Sequence, residues 1–354
     1  MPFKILVINP GSTSTKIALF IDNKLAVDEK VVHSTEQLKA IPCLWDQLAL
    51  RQEAVENFLT KNNIDKAELS AVVSRGGLLR PIPGGTYIIN EQMLADAEAG
   101  VQGTHAANLG CALAKNFADA ARVSAFVVDP ISVDEFEPLA RYSGHPLIER
   151  RALSHTLNIH AVGRMAAEKL QVDFSQANFI IAHLGGGFSI CALKKGKIVD
   201  VNDASSAGPF TPERTGDLPL QQFIKLCFSG QYSQTQMQKL VMGQGGLTAY
   251  LNTNSAEAVE KKIQTGDKKA KEVYEAMAYQ IAKEIGAMAT VINGNVRAIV
   301  ISGGLANSTM LTSWIEERVT FIAEVLLMPG EFEMEALANG VMRILEGKER
   351  AKIY

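Results

Sequence analysis

Ile5-Leu6-Val7-Ile8-Asn9-Pro10-Gly11-Ser12 is an apolar run broken by a proline-glycine turn, and the chain builds on this plan twice. After the turn come Lys16-Ile17-Ala18-Leu19-Phe20, the polar pair Asp22-Asn23, and Leu25-Ala26-Val27. This reads as strand, turn, strand, hairpin turn, strand. Phe179-Ile180-Ile181-Ala182-His183-Leu184 repeats the opening, ends on Gly185-Gly186-Gly187, and continues through Ser189-Ile190-Cys191-Ala192-Leu193, Lys195-Gly196-Lys197 and Ile198-Val199. A second pair aligns without a gap: Ala71-Val72-Val73-Ser74-Arg75-Gly76-Gly77-Leu78 over Ala298-Ile299-Val300-Ile301-Ser302-Gly303-Gly304-Leu305. Two pairs in the same order point to an internal duplication.

Amphipathic helical patterns separate these strands. Leu44, Leu48, Val55 and Leu59 mark one, and Lys268 to Ile292 another. The order predicts an α/β protein of two domains, each a mixed five-stranded sheet flanked by helices, with a cleft between the copies. The expected division is residues 1–150, rejoined by a C-terminal helix within about 333–354, and residues 151–332. The segment 145–155 is the expected crossover.

The bulk properties narrow the function classes. The chain has 354 residues, 47% of them hydrophobic and 21% charged, which suits a globular enzyme of two domains. Formal net charge is −3 with the cations dispersed, which argues against nucleic acid or an anionic membrane as partner. Cys43, Cys111, Cys191 and Cys227 lack the paired spacing of a zinc or redox site and read as buried reduced thiols. Ile5–Ile8 is too short for a signal-peptide core, and no run approaches the roughly 20 apolar residues of a membrane span, so a cytoplasmic protein is expected.

Three turns could receive phosphate. Asn9 to Lys16 combines Gly11 with the hydroxyls of Ser12, Thr13, Ser14 and Thr15 and the ammonium of Lys16, although it lacks the P-loop spacing and equally suits a solvated turn. His183 with Gly185, Gly186 and Gly187 offers bare backbone amides. Gly303-Gly304-Leu305-Ala306-Asn307-Ser308 follows a strand and opens toward a helix whose N-terminus could face a nucleotide. A G-x-G-x-x-G pattern is absent, which disfavours a dinucleotide fold. Arg75 and Arg214 stand in glycine-rich surroundings where solvation is the commoner role of arginine, yet their planar forks match carboxylate and phosphoryl oxygens. Asp129 ends an apolar run, and His155 and His160 complete the set.

Taken together, Val7 to Lys16, Ser74-Arg75-Gly76-Gly77, His183 to Gly187 and Arg214-Thr215-Gly216-Asp217 resemble, in order and over nearly the whole chain, the acetate and butyrate kinase family (acetokinase family). Pro10 and the Gly186-Gly187 pair resemble its butyrate kinases more than its acetate kinases. The resemblance implies a duplicated actin-like ATPase (ribonuclease H-like) fold of the sugar kinase and Hsp70 superfamily. It also implies reversible transfer of the γ-phosphate of ATP to a short-chain carboxylate, giving ADP and an acyl phosphate, with magnesium as cofactor and a homodimer or higher homo-oligomer as the assembly.

By the same resemblance, Asn9, Gly11, Ser12, Ser14 and Lys16 line the phosphate side and Arg75 takes the substrate carboxylate. Arg214 and His155, the latter chosen over His160, stabilise the moving phosphoryl group. His183 and Gly185 to Gly187 contact ATP phosphates, and Gly303, Gly304, Leu305 and Asn307 the nucleoside. Asp129 and Asn9 sit near magnesium, with Glu333 or Glu335 as the accompanying glutamate. Thr253-Asn254-Ser255-Ala256-Glu257 departs from the family in lacking an aspartate after Thr-Asn, which leaves base and ribose contacts there open. A sugar kinase and a non-catalytic ATP-gated module are the competing readings on this fold.

Overall fold

The computed structural model describes residues 2–205 and 207–354. The chain divides into two compact units, Met1–Asp134 with Phe332–Tyr354, and Glu135–Glu331.

In the first unit, β1 (Lys4–Pro10), β2 (Ser14–Ile21) and β3 (Lys24–Val32) form an antiparallel meander. The unit continues with β4 (Ala71–Ser74), β5 (Thr86–Ile88) and β6 (Ser124–Val128). In the second unit, β7 (Asn178–Leu184), β8 (Phe188–Lys194) and β9 (Lys197–Val201) make the corresponding meander, followed by β10 (Ala298–Gly303) and β11 (Val325–Pro329). β12 (Lys352–Ile353) returns to the first unit.

The two sheets share one plan. In the first, β4 lies parallel to β1 and β6 parallel to β4; in the second, β10 lies parallel to β7 and β11 parallel to β10. Even an irregularity recurs. Ile21 pairs with Lys24 and Phe20 with Leu25 before the register slips, so that Leu19 meets Val27; in the other sheet Lys194 pairs with Lys197 and Leu193 with Ile198 before Ala192 meets Asp200. One extra residue, Ala26 or Val199, sits at the same distance from each hairpin, and the first loop residue has positive φ in both, 52° at Asp22 and 51° at Lys195.

The first sheet has seven strands rather than the expected five, in the order β12-β5-β6-β4-β1-β2-β3. β5 and β12, three and two residues long, add an edge to the five-strand plan. The second sheet has the expected five, ordered β11-β10-β7-β8-β9.

Each sheet is covered on both faces, which is why Ile5 to Ile8 and Phe179 to Ala182 are fully buried. In the first unit Leu6, Ile8, Ile17 and Leu19 pack with Phe58 of the helix Leu48–Lys61 and Leu113 and Phe117 of the helix Leu109–Ala121. The helix Glu333–Leu345 packs against β1, β4 and β6. In the second unit Ile180, Ile190, Ile299 and Ile301 meet Tyr274, Met277, Ile281 and Ile285 of the helix Lys268–Val291, while the helix Thr156–Lys169 packs on β7 and β10.

The division falls at Asp134, ahead of the expected 150, and the segment 145–155 lies inside the second unit. Hydrogen bonds explain this. Glu137 N donates to Val199 O at 3.0 Å, and Arg150 donates to Ala140 O at 2.6 Å and pairs with Asp200 at 2.7 Å, tying the stretch to β9. The cysteines are free thiols, but only Cys111 and Cys191 are buried. Burial pushes the Cys111 thiol up to about 12 and raises Cys191 as well, whereas Cys43 is exposed.

Candidate active site

In the first unit the parallel strands β1, β4 and β6 end side by side, since Ile8 is in register with Ser74 and Ser74 with Val127. Ligands of open α/β sheets gather beyond such carboxyl ends. Here the residues that follow are Asn9, Arg75 and Asp129, and the helix beginning at Glu333 brings a carboxylate to the same edge. Asn9 is buried, and its Nδ2 donates to Glu333 Oε2 at 2.8 Å. The other oxygen of Glu333 pairs with Arg75 NH1 at 2.9 Å. Glu335 is exposed on the same helix, so Glu333 is the glutamate that meets the cluster.

Asp129 follows β6 with φ of 42°, an uncommon conformation for a side-chain-bearing residue, although aspartate tolerates it better than most. Gly85 holds it there. Asp129 N donates to Gly85 O at 3.0 Å, and Asp129 Oδ1 accepts from Gly85 N at 2.7 Å.

The turn between β1 and β2 is closed by Gly11 N donating to Ser14 O at 2.8 Å. Ser12 and Thr13 form its tip, and Lys16 is the cross-strand partner of Asn9. Of the expected set Asn9, Gly11, Ser12, Ser14 and Lys16, Asn9 is the member that meets Glu333, which in turn holds Arg75.

Sequence reasoning missed His105, which electrostatics place among Arg75, Arg51 and Glu333. Burial lowers its pKa, the two arginines lower it further, and Glu333 opposes them. Its Nδ1 accepts from Ala107 N at 3.1 Å at the start of a helical turn. A histidine just before a run of small residues carries no pattern that marks it.

The second unit gathers its own set. His183, next to last in β7, shares a hydrogen bond through Nδ1 with Ser302 Oγ, its neighbour on β10, at 3.1 Å. The rings of His155 and His183 lie 4.8 Å apart, and His155 Nδ1 meets Ser189 Oγ at 2.8 Å. His160 instead lies buried 3.6 Å from Glu135 Oε2 and edge-on to Phe174, away from this cluster.

Arg214 is packed onto the glycine turn. A Cβ at Gly187 would stand 2.2 Å from Arg214 NH1, so any side chain there would push the guanidinium aside. NH1 also donates to Ala204 O, and Thr211 Oγ1 joins the two loops by donating to Gly186 O at 2.7 Å while accepting from Arg214 N at 3.1 Å. Burial pulls the pKa of Arg214 below its ordinary value, opposed by Glu213 and then Asp203. Gly303 has φ of 87°, and a Cβ on it would meet Leu184 O at 2.3 Å, so β10 can turn there only with glycine.

The helix expected after the Gly303–Ser308 turn is present. Gly304–Asn307 is a 3-10 turn in which Asn307 Nδ2 donates to Gly304 O at 3.0 Å, and the α-helix runs Thr309–Val319 with Ser308 as its cap. In the doubtful region, Asn254 Nδ2 donates to Glu213 Oε1 at 2.6 Å, and Ser255 caps the helix Ala256–Gln264.

The oxygen donors of Asn9, Asp129 and Glu333 are of the hard type magnesium prefers. Among the described residues, however, no group of three or more histidine, cysteine, aspartate or glutamate side chains is poised to enclose an ion. Such a set suits a hydrated magnesium held largely by a polyphosphate.

Comparison with known proteins bears on these arrangements. Residues 141–328 match the model of the acetokinase family. "Probable butyrate kinase 2" of Caldanaerobacter subterraneus subsp. tengcongensis is 49% identical over 352 residues, covering 99% of each chain. "Butyrate kinase 2" of Clostridium acetobutylicum is 46% identical over 355 residues, covering 100% of each. Among solved structures, Porphyromonas gingivalis acetate kinase superposes with a TM-score of 0.79 at 19% identity, covering 97% of this chain and 100% of that one. A propionate kinase from Francisella tularensis gives 0.75 at 18% identity, with 95% and 98% covered. With a duplicated fold like theirs and near-half identity over its full length, the chain belongs to the acetokinase family.

Proposed function

We propose that this chain is a butyrate kinase, moving the γ-phosphate of ATP reversibly to the carboxylate of butyrate to give butanoyl phosphate and ADP. The observation that carries the reading is Arg75, whose guanidinium already holds a carboxylate oxygen at 2.9 Å at the edge where the acid would bind. The names and identities of the full-length relatives support it.

The chemistry sets the demand. A carboxylic acid of pKa about 4.8 is ionised near neutral pH, so the acceptor needs no general base. What must be overcome is repulsion between two anions, worth about 4 kcal/mol at 4 Å and an effective dielectric near 20. In this reading Arg75 takes the acid, and Asn9, Gly11, Ser12, Ser14 and Lys16 serve the transferred phosphate. Arg214 and His155 counter charge on the phosphoryl group in flight. His183, Gly185, Gly186 and Gly187 hold ATP phosphates, and Gly303, Gly304, Leu305 and Asn307 the nucleoside. The first unit is then the carboxylate side and the second the nucleotide side. Magnesium, when bound with ATP, would neutralise phosphate charge, and Asp129 and Glu333 with Asn9 are the residues that would hold its water shell.

Self-association fits the apolar groups left exposed on the second unit. Leu220, Ile224 and Phe228 run along and just beyond the helix Leu220–Cys227, and Leu139, Tyr142, Leu147 and Ile148 stand out on a separate segment of the same unit. Among the described residues no helix is long and apolar enough to cross a membrane, and work on ATP and a free acid suits the cytoplasm.

The test is hydroxamate trapping of acyl phosphate across straight-chain acids from acetate to hexanoate, with glucose as a control acceptor. Turnover peaking at or near butyrate is expected. Glucose-dependent ADP release without hydroxamate would mark a hydroxyl kinase instead.

A further inference from the structure

Arg51 has no place in the sets described so far. It projects from the helix Leu48–Lys61, is fully buried, and ranks among the largest wholly buried side chains. Its NH1 donates to Ser14 O at 3.0 Å and to Thr15 Oγ1 at 3.1 Å, and its NH2 to Gln47 Oε1 at 3.3 Å. Its Nε has no hydrogen-bond partner among the described residues. Burial alone pulls its pKa down, without an acid to hold it up.

A buried cation without a carboxylate is costly, so its presence needs a reason. Packing does not supply one. Ser14 O also accepts from Gly11 N at 2.8 Å, and Thr15 Oγ1 also shares a hydrogen bond with His33 Nε2 at 2.8 Å. Removing the guanidinium would therefore leave neither of these two acceptors orphaned, and its third, Gln47 Oε1, belongs to a half-buried side chain. The neighbouring histidines do not compensate it either: burial and Arg51 both lower the pKa of His33, and burial, Arg75 and Arg51 lower that of His105. What Arg51 does touch is the backbone that closes the turn from Pro10 to Ser14, from the side facing the protein interior.

We propose that Arg51 is a positioning residue for phosphate at the Gly11–Ser14 turn. It fixes the turn's backbone and lends it a positive charge that pairs with no carboxylate among the described residues, so that a phosphate anion bound at the turn supplies the counter-charge. The inference rests on reading this turn as the phosphate side of the kinase site, and it adds a residue behind the turn to those that face the ligand.

The experiment compares wild type with Arg51→Met and Arg51→Lys. Methionine keeps the length and apolar stem, and lysine keeps the charge. Arg51→Met is expected to fold with a Tm within a few degrees of wild type, to lose more than about half of the Tm rise produced by inorganic phosphate, and to raise KM for ATP about tenfold or more. Its KM for butyrate should stay within about threefold of wild type. Arg51→Lys should recover most of the phosphate response. Overturning results are a methionine variant with the full phosphate-induced rise, or one whose Tm collapses while lysine restores stability without restoring the phosphate response. Should wild type yield no hydroxamate from butyrate, the kinase reading fails, while the phosphate effect on Tm still decides the role of Arg51.

Discussion

Arg75 and Glu333 form an ion pair with both side chains less than one fifth exposed, and the second oxygen of Glu333 is held by Asn9. Three chain segments distant in sequence thus meet at one carboxylate. The pair sets opposite expectations for its two members, because one is assigned to the acid and the other to the phosphate side.

Arg75→Ala should raise KM for butyrate by roughly 10- to 100-fold, the worth of a charge-assisted hydrogen bond, with a smaller change in kcat. Steady-state hydroxamate kinetics separate the two. A rise confined to KM for ATP would contradict the role of Arg75.

Glu333→Gln removes the anion that competes for Arg75, so KM for butyrate should hold or fall while kcat drops about 100-fold through lost support of the transferring group. Glu335→Gln, at an exposed position, should stay within about twofold of wild type. Equal losses in both variants would mean that the glutamate at the sheet edge is not special.

Arg214→Ala should lower kcat by roughly 10³-fold. Gly187→Ala tests the same group without touching it, since the new methyl must displace the guanidinium, and a fall of about 100-fold is expected. Because both act through one cation, the double variant should be no slower than Arg214→Ala alone. Multiplying losses would show that Gly187 and Arg214 act separately.

His33 and His105 both have pKa values below the ordinary histidine value of 6.5, from burial first and then from arginine charge. The unfolded chain therefore takes up protons on these residues before the folded one does. Stability should be full above about pH 6.5 and fall as pH drops below it toward the folded pKa values. Tm measured against pH in wild type, His33→Gln and His105→Gln checks this: each substitution should flatten the decline below pH 6.5, and an unchanged slope in both would remove these histidines as its source.

The duplication was legible because it lies in strand and turn chemistry. Apolar runs ending on Gly11, Gly185 and Gly303 mark β1, β7 and β10, and the helices between them carry clear apolar stripes. β5 and β12 escaped notice because two or three residues cannot display alternation. The break at Asp134 was hidden for a different reason: what ties residues 137 to 150 to β9 is a set of long-range hydrogen bonds, not a change in composition. At the site, the glycines and arginines announced themselves by company. Thr211, which joins Arg214 to the glycine turn, and Ser189 and Ser302, which hydrogen-bond His155 and His183, are ordinary polar residues until the fold brings them in. Arg51 did leave a sign, since it sits three residues after Leu48 and four before Val55, within the helix stripe that should be apolar.

The most direct test of the central claim is ³¹P NMR of the purified protein with ATP, magnesium and butyrate. A butanoyl phosphate resonance should grow in step with ADP and vanish when butyrate is omitted. ADP and inorganic phosphate released at the same rate with or without the acid would contradict transfer to a carboxylate.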